Sequence, residues 1–179
     1  MAKKIQNSNI GIVGNGFVGS AMVSGFLLHV NQIFIYDANP KKSTHTLSEV
    51  IEGSNIIFLC LPTPMDEKTG KIDLSIMDNV IQEINNMNFN KREKVFVIKS
   101  TVVPGTIESY AEKYKELAFV FNPEFLTERK ARLDFINSSR VVLGGSKENT
   151  EKVKTLFRKR FPFTKIIETD FETAELVKY

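Results

Sequence analysis

An α/β fold, a doubly wound and mainly parallel sheet within a single domain, is predicted by three features of the sequence. Seven short runs rich in Ile, Val, Leu and Phe recur along the 179 residues. Amphipathic stretches of helical length alternate with them, the pattern of strand–helix–strand units with helices on both sides of a sheet. The first run passes directly into Gly14-Asn15-Gly16-Phe17-Val18-Gly19, a glycine-rich turn set between a strand and a helix.

Taken in order, strands are predicted at Asn9–Val13, Gln32–Tyr36, Asn55–Leu61, Lys94–Lys99, Ala118–Phe121, Arg140–Leu143 and Lys165–Glu168. Each is a continuous or near-continuous apolar run, as expected of strands buried on both faces. Helical patterns fall at Val18–Leu28, Leu47–Glu52, Leu74–Asn86, Thr106–Lys115 and Glu148–Phe161. Thr106 can cap its own helix. A further helix begins at Thr173–Tyr179, with Thr173 as N-cap and Glu175 in the first turn. It is expected to be the start of a longer element, so residues 8–170 form the domain and residues 171–179 open a connecting helix. With 42% hydrophobic and 25% charged residues, the balance is that of a globular domain able to bury a core.

Several function classes are disfavoured. Runs such as Ile56–Leu61 are too short to span a bilayer. Met1-Ala2-Lys3-Lys4-Ile5 has no apolar signal core behind its lysines, so a cytoplasmic protein without a membrane partner is expected. The single cysteine, Cys60, excludes an intrachain disulfide and a cysteine metal cluster, and His29 and His45 stand in unrelated contexts, so no metal site is expected. A net charge of +3 is too small to argue for nucleic acid. Lys152, Lys154, Arg158, Lys159 and Arg160 read as a solvated helix face that also complements the helix C-terminus. Phe157, Phe161 and Phe163 read as core contacts. Cys60 lies in an apolar strand, where a thiol is buried, neutral and inert.

The glycine turn points to a dinucleotide. Gly14 permits the tight turn, Gly16 lets the backbone approach a pyrophosphate, and Gly19 lets helix and strand pack closely. The helix N-terminus then offers free N–H groups to the phosphates. Asp37 closes the second strand 18 residues past Gly19, where an acid accepts from both ribose hydroxyls. A carboxylate there repels a 2′-phosphate, so NAD is expected over NADP, although Lys41 and Lys42 follow closely. Three further segments end predicted strands, where open α/β sheets bind ligands. They are Leu61-Pro62-Thr63-Pro64, Lys99-Ser100-Thr101-Val102-Val103-Pro104-Gly105-Thr106 and Asn122-Pro123-Glu124-Phe125-Leu126-Thr127-Glu128. Glu124 and Glu128 are four apart, so a helical turn would put both on one face, where two carboxylates could divide acid/base work.

Together with Ala174-Glu175-Leu176-Val177-Lys178-Tyr179, these motifs occur in one order that resembles the UDP-glucose/GDP-mannose dehydrogenase family, over nearly the whole chain from Asn9. The resemblance implies a Rossmann-like domain binding NAD within an enzyme that oxidises the C6 alcohol of a nucleotide sugar, UDP-glucose above all, to a carboxylate. Two NAD are used, and an aldehyde and a cysteine-bound thioester are passed through. It implies that Gly14, Asn15, Gly16, Phe17, Val18, Gly19, Asp37, Lys42, Leu61, Pro62, Thr63, Pro64, Ser100, Thr101 and Val102 contact NAD, as does the loop as far as Met65. Thr101 places the alcohol or a catalytic water, Glu124 is the acid/base, and Lys178 steadies the developing oxyanion. Phe125, Leu126 and Thr127 hold the sugar with Glu124 and Lys178, and Glu128 stands near both sugar and cofactor. A second copy of the chain or a C-terminal half is the expected protein partner.

Two departures from the family pattern stand out. Only 23 residues separate Asp37 from Leu61, so the outer edge of the sheet is expected to be trimmed. The chain ends one residue after Lys178, before any second domain with a catalytic cysteine, so it is expected to be inactive alone. Two other readings stand beside this one. A hydroxyacid-type dehydrogenase domain shares the glycine turn and Asp37 but does not account for Asn122–Glu128. A non-catalytic NAD-binding module fits the missing cysteine but not the retained Thr101, Glu124 and Lys178.

Overall fold

A computed structural model describes residues 8–178; the N-terminal segment expected to lack a signal core, and Tyr179, lie outside the described residues. The strands are β1 (Asn9–Val13), β2 (Gln32–Tyr36), β3 (Ile56–Leu59), β4 (Val95–Ile98), β5 (Ala118–Phe121), β6 (Arg140–Gly144) and β7 (Lys165–Thr169). The helices are α1 (Phe17–Phe26), α2 (Leu47–Gly53), α3 (Ser75–Asn86), α4 (Thr106–Lys113), α5 (Ala131–Ile136), α6 (Lys147–Arg160) and α7 (Phe171–Leu176). The sheet order is β2-β1-β3-β4-β5-β6-β7, and the first five strands pair in parallel.

Period-two alternation splits the core into two layers. Ile12, Phe58, Val97 and Val120 face the layer covered by α1, α5 and α6. Val13, Leu59, Ile98 and Phe121 face the layer covered by α2, α3, α4 and α7. This is the doubly wound arrangement the apolar runs predicted. The sheet ends at β2 among the described residues, in keeping with the trimmed edge expected from the short Asp37-to-Leu61 interval. Among them no helix is long and apolar enough to cross a membrane.

Local chemistry sets the helix ends. Thr46 and Glu49 form a reciprocal capping box at α2. Ser146 caps α6, and Arg158 closes its other end by donating to the carbonyls of Pro162 and Thr164 at 3.0 and 2.6 Å. Lys152 and Lys154 pair with Glu148 and Glu151 on the outer face. Lys152 and Lys154 thus pair on the outer side and Arg158 complements the helix C-terminus, as the sequence suggested, whereas Arg160 is half-buried and donates to the Gly25 carbonyl of α1 at 2.8 Å, and Lys159 donates to the Ser8 hydroxyl at 3.2 Å.

Several expectations are corrected. The sheet is mainly parallel, as expected, but the sequence did not locate the exception: β6 runs antiparallel to β5, meeting it at the Phe121–Gly144 pair, and β7 follows β6 in parallel. The reason is the unpredicted α5, which turns the chain at the carboxyl edge of the sheet; it buries only Ala131 and Phe135, too few for a visible period. Phe135 seats against Gly25 of α1, where a Cβ would come within 2.2 Å of its ring. Asp170, not Thr173, caps α7, accepting the Thr173 N–H at 2.7 Å. Gly105, at φ +88°, holds the cap position of α4, and Thr106 is its first residue. Phe157 and Phe161 are buried, but Phe163 is 98% exposed, carried outward by the turn that follows Pro162.

Candidate functional site

The strand order reverses between β1 and β3, and there the carboxyl ends of the parallel strands open into a cleft of about 500 Å³. At one end stand Asp37, Ala38 and Lys42; the middle is walled by Gly14, Gly16, Phe17 and Val18; Lys99, Ser100, Thr101 and Glu124 close the other end.

The glycines divide their labour as the turn requires. Gly14 has φ +96°, and a Cβ on it would meet the Cys60 carbonyl oxygen at 2.3 Å. A Cβ on Gly19 would strike the Gly14 oxygen at 2.0 Å, whereas one on Gly16 would meet nothing within 4 Å. The first and third glycines thus let backbones touch, and the second leaves space above the turn. The first turn of α1 carries no acid and Gly16 makes no side-chain cap, so its orphan N–H groups suit a diphosphate.

Asp37 is fixed at the cleft wall. Its two carboxylate oxygens accept the Asn15 N–H at 2.7 Å and the Asn39 N–H at 2.8 Å, and each keeps a lone pair for a further donor. Asn15 donates its side-chain amide to the Lys42 carbonyl at 2.9 Å, tying the glycine turn to the segment after β2. Among the described residues the Asn15 Oδ1 is buried without a hydrogen-bond partner. The open space over Gly16, the bare helix start and the remaining lone pairs of Asp37 at the cleft wall together fit a dinucleotide.

The loops after β3 and β4 are bonded to each other. Ser100 donates its hydroxyl to the Leu61 carbonyl at 2.6 Å, and Thr63 to the Thr101 carbonyl at 2.8 Å. Those two hydroxyl protons serve structure, while the Thr101 hydroxyl takes no bond among the described residues and borders the cleft. Leu61, Pro62 and Thr63 line it as well; Pro64 is exposed outside the lining, and Val102 is buried in the core. Cys60 is only half-buried and borders the cleft, because β3 ends at Leu59 and not at Leu61 as predicted. Burial raises its thiol pKa to about 12, so it stays protonated.

Beyond the cleft, Glu124 and Lys178 form an ion pair at 2.8 Å. The second Glu124 oxygen accepts the Leu126 N–H at 2.7 Å, and Lys178 also donates to the Glu124 carbonyl. The Lys178 ammonium and the Arg140 guanidinium lie 5.7 and 4.9 Å from the centre of the Phe125 ring. Glu124, Phe125 and Arg140 border a second cavity of about 370 Å³, shared with Leu126 and Thr127. Asn122 to Thr127 is extended, and only Glu128 enters a 3-10 turn, so the helical face expected to join Glu124 and Glu128 does not form. Glu128 is exposed and lines neither cavity.

Lys99, Asn122, Arg140 and Glu175 stand within the predicted strands and motifs, but the sequence assigned none of them a role in the site. Lys99 carried a signal, as a lysine closing an otherwise apolar run. Its side chain is 4% exposed and donates to Asn122 Oδ1 at 2.8 Å. Burial lowers its pKa to about 8. Among the described residues, only Lys99 and Glu124 line both cavities.

Comparison with known proteins supplies a family. The model of the UDP-glucose/GDP-mannose dehydrogenase family, NAD binding domain, matches residues 41–161, a span that includes both hydroxyl-bearing loops and Asn122–Glu128 but not the glycine turn or Asp37. An uncharacterized protein from Methanocaldococcus jannaschii is 38% identical over 78% of this chain and 16% of its own length. A UDP-glucose 6-dehydrogenase from Rickettsia conorii is 29% identical over 96% of this chain and 47% of its own length. In fold, a UDP-glucose dehydrogenase from Pyrobaculum islandicum matches with a TM-score of 0.83 at 22% identity, over 100% of this chain and 50% of that one. The chain thus spans half or less of the length of each of these.

Proposed function

The chain belongs to the UDP-glucose/GDP-mannose dehydrogenase family, and from that premise we propose that it serves as the NAD-binding half of a nucleotide-sugar 6-dehydrogenase acting on UDP-glucose. The observation that carries this reading is one cleft running from Asp37, past Gly14 and Gly16, to Thr101 and Glu124. Asp37 receives the ribose hydroxyls, the start of α1 holds the diphosphate, and the loops after β3 and β4 flank the nicotinamide end. NAD, when bound, supplies the hydride acceptor.

The remaining work falls to side chains of this chain. The Thr101 hydroxyl orients the sugar C6 alcohol. The Glu124 carboxylate takes the proton from that alcohol, or from water in the later hydrolysis. Lys178 has three N–H donors; two are spent on Glu124, and the third is left for the oxygen on which charge develops. Phe125, Leu126 and Thr127 form the wall against which the sugar rests, and Glu128 stands outside that wall. We place the protein in the cytoplasm, on the strength of its nicotinamide cofactor and lone cysteine.

Residue-resolved NMR tests this assignment. NAD should shift the amide signals of Asn15–Gly19 and Ser100–Val102. UDP-glucose should shift those of Glu124–Thr127 and Lys178. Perturbations of either ligand confined to other parts of the sheet would overturn the assignment.

A further inference from the structure

We propose that Lys99 sets the redox-state preference of the cofactor cleft, its ammonium disfavouring the positively charged oxidised nicotinamide relative to the neutral reduced ring. The inference rests on the NAD reading above. With the ribose at Asp37 and the diphosphate over Gly16, the length of the cleft brings the nicotinamide end to the wall formed by Lys99, Thr101 and Glu124.

The charge of Lys99 is uncompensated by contact. Its ammonium bonds to the neutral Asn122 amide, whose own N–H is committed to the Val142 carbonyl at 2.7 Å, and no carboxylate lies within ion-pair distance among the described residues. The groups facing it from neighbouring elements leave that charge standing. After β3 there is Cys60, a neutral thiol. After β5 there is Glu124, and beyond α7 there is Lys178, and these two neutralise each other as an ion pair. Across the second cavity Asp134 and Arg140 carry opposite signs, with Asp134 held by the N–H and hydroxyl of Thr127. A buried cation without a contacting anion acts through a dielectric lower than that of water, so a second positive charge placed beside it is repelled more strongly than it would be in solvent. The same field favours hydride arrival, since hydride transfer removes the charge from the ring.

Protonation gives the handle. Lys99 loses its proton as pH rises through about 8, so the penalty on the oxidised ring is present below that value and absent above it. The ratio of the NAD+ and NADH dissociation constants isolates this effect, because ribose and diphosphate contacts are common to both. In the wild-type chain that ratio should fall by about tenfold between pH 6.5 and pH 9.5. In Lys99→Met it should be low and flat. In Lys99→Arg, which stays charged, it should be high and flat. Fluorescence titration of NADH with competition by NAD+ reads the ratio, and circular dichroism confirms that each variant folds. A ratio in Lys99→Met equal to wild type at pH 6.5, or a pH slope that persists in it, overturns the inference. If Lys99→Met does not fold, Lys99→Arg decides: a ratio at pH 9.5 about tenfold above wild type supports the inference, and equality sinks it. Binding of both cofactors without these differences defeats the role of Lys99 alone; binding of neither defeats the NAD reading and this inference with it.

Discussion

The buried carboxylate of Glu175 accepts the backbone N–H of Gly105 at 2.6 Å, and its second oxygen accepts that of Ile107 at 2.9 Å. One side chain near the end of α7 thereby closes the start of α4, so the segment carrying Lys178 and the loop carrying Thr101 are held to each other. Glu175→Ala should cost about 2–4 kcal/mol by urea unfolding, since two buried N–H groups lose their acceptor. Glu175→Gln, which keeps an acceptor oxygen, should cost less.

Burial also raises the Glu175 pKa above the ordinary glutamate value, against the pull of its two N–H donors. The native state then holds a proton that the unfolded chain releases earlier. Its contribution to stability declines as pH rises from the ordinary glutamate value through the raised one. The stability of wild type relative to Glu175→Gln should fall with pH across that interval. A rise over the same interval would contradict this picture of the carboxyl.

The glycine turn separates folding from binding. Gly14→Ala and Gly19→Ala should each destabilise the domain by about 2–4 kcal/mol, because their Cβ atoms would collide with backbone oxygens at 2.3 and 2.0 Å. Gly16→Ala should leave stability within about 0.5 kcal/mol, yet weaken NAD by obstructing the diphosphate. Thermal melts and NAD titrations on the three variants check both halves; a stable Gly19→Ala would be evidence against the close packing.

Asp37→Ala should weaken NAD about tenfold while NADP loses little, since only the unphosphorylated ribose uses both carboxylate oxygens. The same variant releases the Asn15 and Asn39 N–H bonds. Some loss common to both cofactors is therefore expected, and the ratio is what reports recognition. Equal losses would remove Asp37 from the ribose site.

Much of this arrangement was legible in the sequence, for identifiable reasons. Strands such as Ile56–Leu59 and Val95–Ile98 are buried on both faces, so their apolar runs are continuous and marked. The glycine turn and Asp37 are local motifs with fixed offsets. What sequence could not show depends on contacts distant along the chain. Glu175 reads as an ordinary first-turn acid until α4 is placed beside it. The direction of β6 depends on α5, whose two buried residues leave no period. Glu124 and Glu128 suggested a shared helical face, but Pro123 and the Glu124–Leu126 bond keep that segment extended. The apolar run places Cys60 inside a strand that in fact ends two residues earlier than predicted, at Leu59.

Cys60 should resist alkylation despite bordering the cleft. With its thiol pKa raised to about 12 by burial, reaction with iodoacetamide at pH 7.5 should be at least about a hundredfold slower than for a free thiol. Unfolding in urea should restore the ordinary rate. Rapid labelling of the native chain would instead mark Cys60 as a reactive nucleophile within the cleft.

Calorimetric titration of the wild-type chain with NAD, and in parallel with NADP, tests the central claim most directly. Saturable binding of one NAD per chain, at least about tenfold tighter than NADP, is what the Gly14–Gly19 turn and Asp37 require. No measurable binding of NAD, or tighter binding of NADP, would contradict it.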